Sequence, residues 1–444
     1  MNRLFLTALL TMLIYPDTEL PAAAVPPPNY DESKVPDYVL PDPLLTKDGR
    51  KVNSVRLWKE VRRPELLELF TEEMFGRSPF PLDDPKAVGI SIQIDKLANA
   101  DPAVVNGKGT RHQIRLRLFK GEQPKDDDPK IDVLIYTPNN ARGRTPVFLG
   151  LNFRGNHTVS ADPGIVLGTV WARPEGSKDF APLPAKEEDR GSMAGRWPIE
   201  MILDRGFAAA TAYYGDIEPD FNGGINHGVR RLGGWKDKEL LPNEAGAIAT
   251  WAWGLGMIRD ALETNAESLK IDVEKIALVG HSRLGKTALW AGATNLKFAL
   301  AVSNNSGGSG AKLSRRWFGE TPLAVNTLFP YWFCGNYKKY NHDVNSLPFD
   351  QHELIALLAP RPVYIASADE DHWADPRGEF LSAFHADPVY HLLGKGGLYG
   401  VTMMPPPGPS VGGTIGYHLR PGKHDVTPFD WQRFLDFAAK HFRM

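Results

Sequence analysis

The chain has 444 residues, of which 42% are hydrophobic and 23% charged, a composition typical of a soluble globular enzyme. A net charge of −2 at pH 7 gives no electrostatic basis for binding nucleic acid or an anionic membrane. The single cysteine, Cys334, excludes an intramolecular disulfide, and 42 glycines with 37 prolines predict many turns and long loops.

The first 24 residues have the pattern of an export signal. Arg3 supplies a short positive region, residues 4–15 are mostly apolar, and three alanines at 22–24 offer a cleavage site. The apolar run is too short to span a bilayer. We therefore expect a signal peptide over residues 1–24 and a secreted or periplasmic protein. The Pro-rich residues 25–48 are predicted to form an arm on a single catalytic domain spanning 49–444.

The amino-terminal half predicts one or two helices and the first strands of a sheet. Helical apolar spacing extends over residues 54–75. Residues 146–152 are apolar throughout, as in a central strand buried on both faces. Residues 153–196 are too long and too polar for a simple connection and are expected to form a functional loop. The other strands predicted here are 88–94, 112–119 and 131–137.

Strands and helices alternate from residue 197 onward, which predicts an α/β fold with a mostly parallel central sheet and helices on both faces. A long insertion is predicted at 307–349. The predicted helices are 197–204, 245–264, 284–293 and 430–442, and the predicted strands are 207–212, 275–279, 298–303 and 362–368.

The most informative segment follows the apolar strand at 275–279 and reads Gly-His-Ser-Arg-Leu-Gly-Lys over residues 280–286. A serine on a sharp turn between a strand and a helix is typical of the nucleophile elbow of an α/β-hydrolase. Gly280 leaves room beside the strand, and Gly285 allows the helix to pack closely. A serine that only caps the helix is the alternative, but a cap does not account for these glycines. Ser282 is therefore the predicted nucleophile.

The general base is sought near the carboxyl terminus, because this fold has the chain order serine, acid, histidine. His424 lies in a turn-rich segment, Arg-Pro-Gly-Lys-His-Asp, immediately before the last predicted helix. His418 is its rival, and His441 falls inside the helix. His424 is predicted to take the proton from the serine and return it to the leaving group.

The triad acid normally follows one of the strands after the elbow helix. The strand at 298–303 is followed by Asn304, Asn305 and Ser306, with no carboxylate, whereas the strand at 362–368 is followed by three acids, Asp369, Glu370 and Asp371. Asp371, three residues beyond the strand, is the predicted partner of the histidine. Asp369 is the second choice.

The elbow resembles the signature Gly-Cys-Ser-Arg-x-Gly-Lys of the glucuronoyl esterases, carbohydrate esterase family 15. The resemblance extends from about residue 48 to the carboxyl terminus and favours the bacterial branch of that family. The segments that carry it are Arg-Arg-Pro-Glu at 62–65, Glu-Glu-Met-Phe-Gly-Arg at 72–77, Leu-Pro-Phe-Asp-Gln-His at 347–352, Ala-Pro-Arg-Pro at 359–362, Trp-Ala-Asp-Pro at 373–376 and Pro-Gly-Lys-His-Asp at 421–425.

The resemblance implies hydrolysis, through an acyl-enzyme, of the ester between a (4-O-methyl-)glucuronic acid branch of xylan and a lignin alcohol. By the same resemblance, Ser282 is the nucleophile and Arg283 helps to form the oxyanion hole. Lys286, Glu320 and Trp373 bind the sugar. No cofactor or metal is expected, and the protein is expected to be a monomer without a membrane span.

Two positions depart from the family pattern. His281 replaces a cysteine that is disulfide-bonded in fungal members, and Asn305 replaces a glutamate that serves many members as the catalytic acid. Because of the second change, Asp371 is expected to act as the catalytic acid without that glutamate. Two other functions stay open at this point, a carboxylesterase for another plant ester such as acetylxylan and a non-catalytic carbohydrate-binding relative.

Overall fold

The computed structural model describes residues 25–78, 80, 89–235 and 239–444, so the predicted signal peptide at 1–24 lies outside the described residues. The predicted helical segment at 54–75 is confirmed. It consists of α1 (Val55–Leu57) and α2 (Arg63–Phe70), each followed by a π-helical turn, Trp58–Arg62 and Thr71–Phe75 respectively.

The predicted strands of the amino-terminal half are present as β1 (Ser91–Val104), β2 (Gly109–Phe119), β3 (Lys130–Pro138) and β4 (Thr145–Asn152). β1 extends ten residues further than its apolar pattern predicted. Its backbone stays hydrogen-bonded to β2 over residues whose side chains are mostly half-buried or exposed, so the apolar pattern does not mark the end of this edge strand. The loop predicted at 153–196 contains a hairpin of β5 (Thr169–Ala172) and β6 (Ala181–Pro184).

The second half alternates as predicted and adds elements that the sequence pattern did not reveal. The described elements are α3 (Ile199–Asp204), β7 (Ala208–Tyr213), α4 (Tyr214–Ile217), α5 (Ala247–Thr264), α6 (Ala266–Leu269), β8 (Ile271–His281), α7 (Arg283–Thr294), β9 (Leu300–Asn304), α8 (Pro322–Leu328), α9 (Gln351–Ala356), β10 (Val363–Ala368), α10 (Pro376–Leu392), β11 (Val411–Gly412), β12 (Ile415–Arg420) and α11 (Pro428–Phe442).

All the described strands except β5 and β6 join one sheet in the order β1-β2-β3-β7-β4-β8-β9-β10-β12-β11. The run from β7 to β12 is parallel, and antiparallel strands lie at both edges. This is the mostly parallel sheet that the alternation predicted and the α/β-hydrolase architecture that the serine elbow predicted. Parallel strands place all their carboxyl ends at one edge, where the loops after β8, β9, β10 and β12 meet.

Helices cover both faces of the sheet. Along β4, Leu149 joins the core that contains α5 and α7, while the preceding Phe148 joins the core that contains α3 and α11. Alternate side chains of a strand point to opposite faces, so one buried strand supplies both cores. No helix in the described part of the chain is long and apolar enough to cross a membrane.

β8 and α7 pack closely at the predicted elbow. A Cβ atom on Gly280 would overlap the carbonyl oxygen of Leu284, and one on Gly285 would lie 2.9 Å from the Cβ of Ser306. The first contact is with backbone, which cannot rotate away as a side chain does. The two glycines are therefore required by the close approach of the strand, the helix and the end of β9.

We predict that Gly280→Ala destabilises the protein by about 1–3 kcal/mol, because overpacking forces the backbone apart. The matched control is Gly256→Ala in α5, where an added Cβ would meet nothing closer than an amide nitrogen of Asn295 at 3.5 Å. That helical substitution is expected to be neutral or stabilising. Urea unfolding measures both, and equal stability of the two variants would contradict the packing argument.

Candidate active site

The predicted nucleophile lies on a constrained backbone. Ser282 has φ 57° and ψ −131°, a positive φ that non-glycine residues rarely adopt. Its amide donates to the carbonyl oxygen of Asn304 at 2.9 Å, and its carbonyl accepts from the amide of Gly285 at 2.8 Å. These bonds fix the half-buried serine between the end of β9 and the first turn of α7, which holds the strained conformation in place.

His424 and Asp371 meet where the sequence predicted. His424 lies on the loop between β12 and α11, and its Nδ1 is 2.6 Å from Oδ2 of Asp371, on the loop after β10. The side chains are 17% and 3% exposed, respectively. Because Nδ1 is engaged by the carboxylate, Nε2 is the ring nitrogen left to exchange a proton.

Asp371 is held as a carboxylate. The side-chain amide of Asn305 donates to the same Oδ2 at 2.8 Å, and the backbone amide of Ala374 donates to Oδ1 at 3.3 Å. Burial by itself would raise the pKa of Asp371, but the charge and hydrogen bond of His424, with these two donors, hold that pKa below its usual range. An ionised carboxylate here can stabilise the imidazolium that forms when the histidine accepts a proton.

The rival residues have other partners. His418 is fully buried within β12, with Nε2 2.9 Å from Oδ1 of Asp430 and Nδ1 3.0 Å from the hydroxyl of Tyr364. Asp369 accepts from the amide of Gly422 at 2.7 Å. Asp369 therefore stabilises the turn that precedes His424, whereas Asp371 contacts the imidazole ring of His424.

His281, at the position of the family cysteine, packs beside the proposed base. Its ring centroid lies 4.5 Å from that of His424, and its Nδ1 is 2.7 Å from Oδ1 of Asn304. Burial and the neighbouring His424 lower the pKa of His281 well below its ordinary value, so the ring is neutral. Cys334 is free and buried.

Arg283, the first residue of α7, forms an ion pair with Asp220. Its guanidinium carbon lies 4.8 Å from the centroid of the Trp332 ring, and the rings of Phe329 and Phe153 are also within 6 Å. Among the described residues, Nε of Arg283 is buried without a hydrogen-bond partner. Asp220 and these rings therefore hold the guanidinium in one place, and 12% of the Arg283 side chain stays exposed.

Lys286 is buried one turn further along α7. Its Nζ donates to the carbonyl oxygens of Ser306, at 2.7 Å, and Gly308, and to Oε2 of Glu320 at 2.8 Å. These three acceptors use all the hydrogens of an ammonium group. A sugar hydroxyl can therefore bond Lys286 only by displacing one of them.

Trp373 lies beside Glu320, because its carbonyl oxygen accepts the Glu320 amide at 2.8 Å. The structure thus brings together Lys286, Glu320 and Trp373, the three residues expected to bind the sugar. The amino-terminal arm adds Tyr30, whose ring packs edge-on against His372. Burial, with the nearby carboxylates of the site, raises the pKa of Tyr30 to about 12.

Sequence reasoning missed Asp220 and Tyr30. Neither lies in a motif, and each reaches the site from a segment distant in sequence, so no local signal identifies them. Within the described ranges, no cluster of three histidine, cysteine or carboxylate side chains has the arrangement of a metal site.

The chain resembles known esterases in sequence. A family model of fungal glucuronyl esterases matches residues 239–394. The carbohydrate esterase MZ0003, from an unknown prokaryotic organism, is 48% identical over 415 residues, which cover 93% of this chain and 92% of that protein. The chain belongs to carbohydrate esterase family 15, the glucuronoyl esterases.

Two solved structures of this esterase family resemble the chain along nearly its whole length. A glucuronoyl esterase from Solibacter usitatus has a TM-score of 0.84 and 43% identity, covering 92% of this chain and all of that one. A family 15 esterase from a marine bacterial metagenome, described as promiscuous, has a TM-score of 0.82 and 47% identity, covering 94% of this chain and all of that one. The resemblance inferred from the elbow is confirmed.

We predict that Asp371→Asn lowers kcat by about 10⁴, because an amide cannot stabilise the imidazolium as a carboxylate does. The matched control is Glu370→Gln, which removes an exposed acid of the same run and should leave kcat unchanged. Adding Asn305→Glu to Asp371→Asn should restore part of the activity, since the two side chains are adjacent. Steady-state kinetics on a glucuronate ester test this, and near-native turnover of the single Asp371→Asn variant would refute the assignment.

Proposed function

We propose that the chain is a serine-type carboxylic ester hydrolase that cleaves esters joining (4-O-methyl-)glucuronic acid on xylan to lignin alcohols. The observation that carries the proposal is the contact of 2.6 Å between His424 and Asp371. The ring of His281, the residue before Ser282, lies 4.5 Å from that of His424, which brings this pair to the elbow. Membership of the glucuronoyl esterase family supports the choice of acid, and the polar pair Lys286–Glu320 supports a sugar substrate.

The proposed reaction has two halves. Oγ of Ser282 attacks the ester carbonyl while Nε2 of His424 accepts its proton, and the carbonyl oxygen becomes an oxyanion facing Arg283. Collapse breaks the bond to the alcohol, which takes the proton from His424. A water then attacks the acyl-enzyme with His424 again as base, which releases the uronic acid and restores the serine.

The sugar would lie between α7 and the loop after β10. Glu320 accepts hydrogen bonds from its hydroxyls, Lys286 keeps that carboxylate oriented, and the half-buried Trp373 offers its ring for the sugar face. The amino-terminal sequence pattern supports export of the protein, and we propose that it acts outside the cytoplasm as a monomer.

Ser282→Ala should lower turnover by several orders of magnitude, because the variant cannot form the acyl-enzyme. The substrate that decides the function is benzyl glucuronate, assayed beside acetylated xylan. Hydrolysis of the first by the wild type, and its loss in Ser282→Ala at unchanged thermal stability, is the expected result. Hydrolysis of acetylated xylan alone would favour the acetyl esterase function, and hydrolysis of neither would favour a binding protein.

Glu320→Gln should raise KM for benzyl glucuronate about tenfold or more, because a buried charged acceptor bonds hydroxyls more strongly than an amide does. The same variant should hydrolyse p-nitrophenyl acetate at nearly the wild-type rate, since that ester has no sugar. Equal losses on the two substrates would mean that Glu320 acts on the fold and not on the sugar.

A further inference from the structure

Both cations beside the nucleophile are paired with buried carboxylates. Arg283 pairs with Asp220, with side chains 12% and 3% exposed, and Lys286 pairs with Glu320, with side chains 3% and 7% exposed. Glu320 also serves the sugar in the proposed function. The proposed function gives Asp220 no contact with the substrate. Its ion pair with Arg283 therefore suggests that Asp220 acts through that arginine.

Asp220 is held rigidly by three segments of the chain. Its Oδ1 accepts from the hydroxyl of Tyr331 at 2.9 Å and from Nε1 of Trp332 at 2.8 Å. Its Oδ2 accepts from the hydroxyl of Tyr214 at 2.8 Å and from Arg283. Four donors fill the acceptor capacity of a carboxylate, so this group is fixed in position.

The aromatic surroundings of the Arg283–Asp220 pair strengthen the interactions of its charges. The rings of Trp332, Phe329 and Phe153 enclose the guanidinium, and charges interact more strongly between apolar walls than in water. Burial by itself would lower the pKa of Arg283, but Asp220 and the adjacent tyrosines raise it. The arginine is thus a permanent cation whose charge is balanced by Asp220.

Charge balance matters because the reaction changes the charge of the ligand. The substrate is a neutral ester, and hydrolysis adds water across its acyl–oxygen bond to give an alcohol and a uronic acid. That acid loses its proton at neutral pH and becomes an anion. An uncompensated arginine would bind this anion tightly and slow its release, whereas the transient oxyanion needs only well-placed donors.

We propose that Asp220 is a specificity-determining residue that makes the site select the neutral ester over the free uronate. It does so by balancing the charge of Arg283, the proposed donor to the oxyanion. The proposal rests on the proposed function, because it assumes that the ester carbonyl lies beside Arg283.

The test compares binding of sodium glucuronate and methyl glucuronate by isothermal titration calorimetry, in Ser282→Ala protein that cannot turn over. In this background the ester should bind at least about tenfold more tightly than the anion. Adding Asp220→Asn, which keeps the shape but removes the charge, should shift the ratio toward the anion by about tenfold or more. Asp220→Glu, which keeps the charge, should preserve the preference for the ester.

The matched control is Asp350→Asn, which removes the buried carboxylate paired with Arg315 at 3.3 Å and should leave the ratio unchanged. An unchanged ratio in Asp220→Asn, or equal loss of both ligands, would overturn the proposal and leave Asp220 as a support for Arg283. If Asp220→Asn does not fold, anion binding as tight as ester binding in the Ser282→Ala protein would overturn it equally. Absence of wild-type hydrolysis of benzyl glucuronate would instead overturn the proposed function.

Discussion

The close approach of β8 and α7 at Gly280 is the constraint on which the rest of the site depends. It forces a sharp turn at the following residues, and Ser282 takes the positive φ that results. Arg283 and Lys286 then occupy the first turns of the same helix. One backbone constraint therefore fixes the positions of the proposed nucleophile, the proposed oxyanion cation and the lysine proposed to lie near the sugar.

The buried carboxyl group of Glu379, on α10, connects the carboxyl ends of β9 and β10, which precede Asn305 and Asp371 respectively. Oε1 of Glu379 accepts from the amide of Gly307 at 2.9 Å and from Oγ of Ser306 at 3.3 Å, and Oε2 bonds Oγ of Ser367 at 2.6 Å. Burial raises the pKa of Glu379 to about 8, so the group is mostly uncharged at neutral pH. The ends of β9 and β10 are thereby held together with little cost in buried charge.

The position of Asp371, the proposed triad acid, follows from this pairing of strands. β9 and β10 are parallel neighbours, so residues just beyond their carboxyl ends lie at the same edge of the sheet. The amide of Asn305 contacts Asp371 itself. An acid after either strand can therefore contact the same histidine. In this chain the acid follows β10 as Asp371, and Asn305 after β9 donates a hydrogen bond to it.

The sequence by itself determined the parallel α/β sheet, the elbow at Ser282 and the pairing of His424 with the loop of Asp371. Each of these depends on local backbone requirements or on chain order, which a single sequence displays. The pattern did not reveal α10 or β12, because buried polar residues such as Glu379 and His418 interrupt their apolar periodicity.

Only the tertiary structure decided how the charges of the site are arranged. Asp220 lies 63 residues before Arg283, and the donors around it come from segments with no shared motif. The same holds for the three acceptors that occupy Lys286. Such contacts depend on where separate loops meet over the sheet, and no periodicity or spacing in the chain encodes that meeting.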